Sequence, residues 1–206
     1  MAISVRLLLA AGGACAGLAA PVSADCPQPG DLADGISLRD DSGGVTTFRP
    51  GAAPGEVMET TLFDDNTGFF VRSTGGLLVE ESHDIENGAP VESTVVDTRF
   101  EGTEQAFPVA EGRRLELAGT EVDATGAETA ITVLIETSLM RQVLYGDCAV
   151  QAIPVRMTYT YGGEASEVEY LDYLPEFGIS LFLGAGELGG APDIYRIVEL
   201  FKALPQ

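Results

Sequence analysis

Val155-Arg156-Met157-Thr158-Tyr159-Thr160-Tyr161, closed by Gly162-Gly163, alternates strictly between bulky apolar and polar side chains. A strand turns successive side chains to opposite faces. This run therefore has one face of Val155, Met157, Tyr159 and Tyr161 and another of Arg156, Thr158 and Thr160. One buried face and one wet face is the pattern of an antiparallel sheet. Working outward, Ile131, Val133 and Ile135 repeat it, with Thr132 and Glu136 opposed.

The rest of the chain is punctuated in the same style, by 25 glycines and 11 prolines. Turn clusters such as Asp40-Asp41-Ser42-Gly43-Gly44, Asp64-Asp65-Asn66-Thr67-Gly68 and Asn87-Gly88 supply residues that tolerate positive φ, and Asn87-Gly88 suits a type I′ hairpin. Between them lie segments rich in Val, Thr, Ile, Tyr and Phe, which is strand chemistry. The spacing predicts strands over 36–39, 45–49, 56–63, 69–73, 77–85, 91–100, 113–122, 127–137, 139–145, 149–161, 166–173 and 178–183. Helix is scarce, with one turn expected at 31–34. Residues 194–201 fit helical spacing through Ile194, Ile197, Val198 and Phe201, and fit a closing strand through their β-branched run. The surrounding β pattern favours the strand. The fold expected is mainly β: an antiparallel meander forming a curved sheet, half-barrel or sandwich.

Residues 1–24 read as a signal peptide. Met1 and Arg6 form a basic n-region, residues 7–20 carry no charge, and Val22-Ser23-Ala24 ends the segment with small residues. Later stretches fall short of the about 18 apolar residues a membrane helix needs. Residues 25–206 are then expected to be a single exported, periplasmic or secreted domain. Without Arg6, ten of the eleven Lys and Arg face all 32 Asp and Glu, a net charge of −22. Such a field repels nucleic-acid phosphates and anionic lipid. Disorder is not implied, because 45% of the chain is hydrophobic and its acids are interspersed with apolar residues.

Export leaves two cysteines, Cys26 and Cys148, since Cys15 lies within residues 1–24. An even pair in an oxidising compartment is most simply a disulfide, here tying the start of the domain to its C-terminal half. In the chain-entropy view a loop of that length stabilises by about 4–5 kcal/mol.

Chemistry-bearing motifs are sparse. His83, the single histidine, sits in an outward register beside Glu80 and Glu81 and reads as a surface residue. Asp64 to Gly68 begins like a calcium loop, but Gly75 stands where the EF-hand glutamate belongs, so a structural turn is favoured. No P-loop, dinucleotide fingerprint, zinc motif or nucleophile elbow is present, and neither metal nor cofactor is called for. Aromatic and apolar residues concentrate at 170–182. Core packing is their first role, and a rim or groove for an apolar ligand the second. Tyr159, Tyr161, Tyr170, Tyr173 and Phe177 are the candidate ligand-binding residues. The expected function is a non-enzymatic domain that binds a hydrophobic small molecule or an envelope protein on the concave face of the sheet. A carboxylate-dependent hydrolase and a structural or weakly calcium-binding surface protein are the alternatives.

Gly146-Asp147-Cys148, the hairpin after it and residues 170–178 resemble the closing part of exported β-rich bacterial proteins of unknown function. Cys26-Pro27, residues 31–36 and Thr47-Phe48-Arg49 are similar to the start of small periplasmic proteins of that kind. The resemblance covers under half of the chain. It implies an envelope location and an antiparallel sheet, a half-barrel among its forms, and carries over no active-site residue.

Overall fold

Fifteen strands follow one another in a computed structural model that describes residues 26–203. The expected signal peptide, 1–24, lies outside them. The strands are β1 (Ile36–Asp40), β2 (Val45–Pro50), β3 (Glu56–Leu62), β4 (Gly68–Thr74), β5 (Leu78–Glu86), β6 (Ala89–Pro90), β7 (Val96–Phe100) and β8 (Arg114–Asp123). They continue as β9 (Glu128–Thr137), β10 (Arg141–Tyr145), β11 (Cys148–Tyr161), β12 (Glu164–Leu174), β13 (Ile179–Glu187), β14 (Asp193–Ile194) and β15 (Ile197–Lys202). The fold is mainly β, with short 3-10 turns at Pro29–Ala33, Glu92–Thr94 and Thr103–Gln105.

All pairings are antiparallel and nearly all join sequence neighbours, so the chain meanders. Asn87 and Gly88 both take positive φ, as the β5–β6 hairpin requires. Of the expected strand 91–100 only 96–100 forms. Thr94 Oγ1 donates to the Val91 carbonyl at 2.9 Å and accepts from Asp84 N–H at 2.8 Å, drawing the chain into a 3-10 turn before β7. The ambiguous C-terminus is strand: β15 pairs with β1, with Leu200 opposite Leu38.

That last pairing shapes the molecule. The sheet runs from β14 at one end to β15 at the other and is open in its hydrogen bonding. Yet only Tyr195 and Arg196 separate those two strands in the chain. Ile194 pairs with Gly184 of β13, while Ile197 already pairs with Asp40 of β1. The two ends of the sheet are thus drawn together by the chain rather than by a ladder.

Apolar packing divides into two clusters. One joins Ile36, Phe48 and Leu200 to Leu174, Ile179 and Leu181 and to the β10–β11 tip. Cys26 and Cys148 belong to it and form the expected disulfide, with Cα atoms 5.4 Å apart. The other lies on the inward face of β8, β9, β11 and β12 and includes Val133, Ile135, Val155, Met157 and Tyr159. The alternation at 155–161 therefore sets which side is the inside.

Candidate functional site

Curling the meander leaves a groove between β1–β5 on one side and β11–β13 on the other. Alternation selects its lining. In β3 Val57, Glu59 and Thr61 share a face, opposite Phe69 and Val71 of β4 by register. In β13 Ile179 and Leu181 pack into the disulfide-bearing cluster, whereas Ser180 and Phe182 line the groove. One hollow of about 200 Å³ is bounded by Leu38, Phe48, Glu59, Phe63, Phe182 and Tyr195. An adjoining hollow of about 320 Å³ shares Glu59, Phe69 and Phe182 with it and adds Leu77, Glu169, Leu171 and Ser180. A third, of about 150 Å³, continues past Glu169 to Glu121, Tyr159 and Tyr161.

Gly76 lies at the boundary where the β4–β5 turn meets the β12–β13 turn. Its φ is +66°, and a Cβ there would sit 2.3 Å from the Gly178 carbonyl oxygen, so only glycine fits. At the other end Phe182 and Tyr195 hold their ring centroids 6.0 Å apart, with Tyr195 partly exposed at the mouth.

The electrostatics are one-sided. Burial, and then the Glu169 charge, push the Glu59 carboxyl up to about 8. Burial raises Glu169 to about 7, against the opposing hydrogen bond from Tyr159 Oη at 2.9 Å, with Glu167 adding to the rise. Burial and Glu169 together push the Tyr159 phenol well above its ordinary range, and burial with Glu121 takes Tyr161 to about 12. Glu121 is itself raised, by burial and then by Asp123. Among the residues lining the three hollows there is no Lys or Arg.

Some acids elsewhere have cations or hydrogen-bond donors. Arg72, on the opposite face of β4, meets Glu56, Glu80 and Glu81 at 3.3, 3.0 and 3.1 Å. His83 stacks on Phe70 beside this group, with ring centroids 4.8 Å apart. In the Asp64–Gly68 turn, Asp65 Oδ1 accepts from Thr67 Oγ1 at 2.6 Å and Thr67 N–H at 3.0 Å, which holds its carboxyl below the usual range. A broader hollow beside Asp31, Arg49 and Lys202 is polar, and Lys202 is held there at 3.0 Å by Asp31.

Of the aromatic candidates, Tyr159 and Tyr161 line the third hollow, with ring centroids 6.3 Å apart. Tyr173 is buried in the cluster of β8–β12, and Phe177 in the disulfide-bearing cluster. Tyr170 lies opposite Arg156 by register, on the other face of β12 from Glu169. Those three lie outside the lining of the hollows. Ser180 and Phe182 belong to the 170–182 stretch read as packing or a groove rim, whereas Glu59, Glu169, Phe69 and Tyr195 were not singled out in the sequence. The usable signal was parity: Glu59 is in phase with buried Val57 and Thr61, and Glu169 with Leu171 and Tyr173.

No family model and no curated protein matches the chain. Among solved structures, the hypothetical lipoprotein YmcC from Escherichia coli K12 aligns over 84% of this chain and 87% of its own, at 10% identity and a TM-score of 0.44. A likeness that distant bears on neither ligand nor activity.

Proposed function

We propose that residues 25–206 form a single exported domain of the bacterial envelope, released into the periplasm behind a signal peptide at 1–24, that binds an apolar small molecule in the groove. One observation carries this reading. The adjoining hollows of about 200 and 320 Å³ are walled by Leu38, Phe48, Phe69, Leu171 and Phe182, the combination of concavity and apolar lining that small-molecule sites share. Tyr159 and Tyr161 extend that wall. The disulfide fits an oxidising compartment.

The neutral fluorophore N-phenyl-1-naphthylamine tests it. Saturable, one-to-one fluorescence enhancement is expected, weakened at least fivefold by Phe69→Ser, which alters a partly exposed wall residue. No enhancement, or enhancement indifferent to Phe69, removes the reading.

The Glu59–Glu169 pair favours a second reading, a carboxylate-dependent hydrolase. That chemistry needs one acid kept protonated and its partner kept ionised. Here both carboxyls are pushed upward and no cation lines the groove to hold either one charged. Binding is therefore preferred. Release of nitrophenol from a panel of nitrophenyl glycosides and esters, abolished by Glu169→Gln, would reverse that order.

A further inference from the structure

The groove is apolar along its walls but carries an unbalanced charge at its middle. Glu59 projects from β3 and Glu169 from β12 into the same hollow, close enough to act on each other. Ten cations lie among residues 25–206, and none lines this hollow or its two neighbours. On the strands flanking the pair, Arg72 of β4 is engaged with its three glutamates and Arg156 of β11 with Glu136 at 2.8 Å. An ionised carboxylate taken out of water without a counter-charge is costly, and two facing each other are more so.

A second observation is independent of the acids. Ser180 is 5% exposed, its Oγ has no hydrogen-bond partner, and it lines the hollow that holds Glu59 and Glu169. Buried hydroxyls are ordinarily satisfied, so an orphan at the wall of a cavity points to a polar group on whatever fills it. Two carboxylates and one hydroxyl oxygen make three acceptors around one space. A primary ammonium offers three donors and one positive charge. Phe69 and Phe182, shared by the two larger hollows, add ring faces of the kind that attract a desolvated cation.

We propose that the groove binds an amphiphile bearing a primary ammonium group, with the nitrogen held between Glu59, Glu169 and Ser180 and the apolar chain lying toward Leu38, Phe48 and Phe63. The assignment rests on the apolar-ligand reading above and names the head group that reading leaves open. Binding strengthens as pH rises through about 7 and about 8, where Glu169 and Glu59 lose their protons. It weakens again once the amine is neutralised. Around the pair stand Glu167 and Tyr159 beside Glu169, Asp40 at the far side of the first hollow, and Glu121 with Tyr161 in the third. All are acids or phenols, so none supplies the missing positive charge.

Calorimetric titration of the full domain with decylammonium, decanol and decanoate, each below its micellar concentration, separates the claims. One equivalent of decylammonium should bind at least tenfold tighter than decanol at pH 8, and decanoate should not bind. In Glu59→Gln/Glu169→Gln the tenfold advantage should vanish while decanol binding remains. Glu59→Gln alone should lose part of it, and serves if the double variant does not fold. Equal affinity for decanol and decylammonium overturns the amine assignment and leaves the apolar site standing. An amine preference that survives in both variants is adsorption to the acidic surface, and overturns it too. If no decyl compound binds, the apolar-ligand reading falls with it.

Discussion

Asp172 and Glu169 lie three residues apart on β12, facing opposite sides, and the chain treats their charges in opposite ways. Asp172, 2% exposed, receives Arg141 Nη2 at 3.2 Å and the Tyr145 hydroxyl at 2.5 Å. Glu169 also receives a tyrosine hydroxyl, from Tyr159, but no cation; across the hollow it meets a second acid, Glu59. The first arrangement fastens β10 to β12 over the β11 strand between them and ends there. The second leaves a charge requirement open on the side where the sheet is hollow. A carboxylate inside a fold is structural when its counter-ion comes from the same chain, and Glu59 and Glu169 lack one.

The sealed side should break hardest. Cys26→Ser frees the N-terminal segment from the β10–β11 tip across a sequence separation of 122 residues. The expected cost is about 4 kcal/mol, read as a drop in the denaturant midpoint with a β-type far-ultraviolet spectrum retained. Reducing the wild type should match the variant. Two free thiols in denatured, unreduced wild type would show that the bridge does not form.

Asp172→Asn should follow, at about 3 kcal/mol. It removes the charge that Arg141 pairs with and leaves the buried Tyr145 hydroxyl without its charged acceptor, although Arg141 is half exposed and can turn to water. Burial and the Asp172 charge both raise the Tyr145 phenol, so its ultraviolet titration should begin at a lower pH in the variant. A stability loss under 1 kcal/mol would mean that this carboxylate, like those in the groove, is not a fastening.

These two regions were unequally legible in the sequence. The sealed side was nearly readable: alternation at 155–161 marked the inward face, Asn87-Gly88 marked a hairpin, and the cysteine count paired Cys26 with Cys148. The closing strand was harder, because Ile194, Ile197, Val198 and Phe201 satisfy a helical period, and what selects strand is the pairing with β1 at the far end of the chain. The groove was legible only in part: alternation put Tyr159 and Tyr161 on its side, but its facing acids stayed hidden for the same reason. Glu59 and Glu169 are two among 32 acids, and only the curl of the sheet sets them opposite each other. Aromatic richness pointed to Tyr170, Tyr173 and Phe177, yet aromatic side chains mark buried area, and Tyr173 and Phe177 are part of the packed clusters.

Groove substitutions should act with the opposite sign. Glu59 has a folded value of about 8 against an ordinary 4.5, so between those values the native state holds a proton that the unfolded chain has released. Wild-type stability therefore falls as pH rises from about 4.5 to about 8. Glu59→Gln removes that loss: no change at pH 4, and a gain of about 2 kcal/mol at pH 8.5 after discounting for water in the hollow, roughly 4–8 °C in melting temperature. A melting temperature equal to wild type at both pH values would mean that Glu59 is solvated and the groove is no different from the surface.

The smallest effect tests the comparison at a single hydrogen bond. Tyr159 Oη donates to Glu169 Oε2 and favours the ionised carboxylate, opposing the burial that raises it. Tyr145 stands to Asp172 as Tyr159 stands to Glu169, except that Asp172 also has Arg141. Tyr159→Phe should therefore lift Glu169 further above about 7, by about one unit or less, because a single neutral donor competes with full desolvation. The carboxyl carbon resonance of Glu169, followed by nuclear magnetic resonance between pH 5 and 9, reads this directly. The ring stays opposite Val133 by register and only the hydroxyl's 3.8 Å contact with Met157 Sδ is lost, so the stability at pH 5 should nearly hold, since Glu169 is protonated there in both proteins. A titration midpoint that does not move would assign the hydroxyl to water or ligand instead, and would leave Glu169 without any protein donor at all.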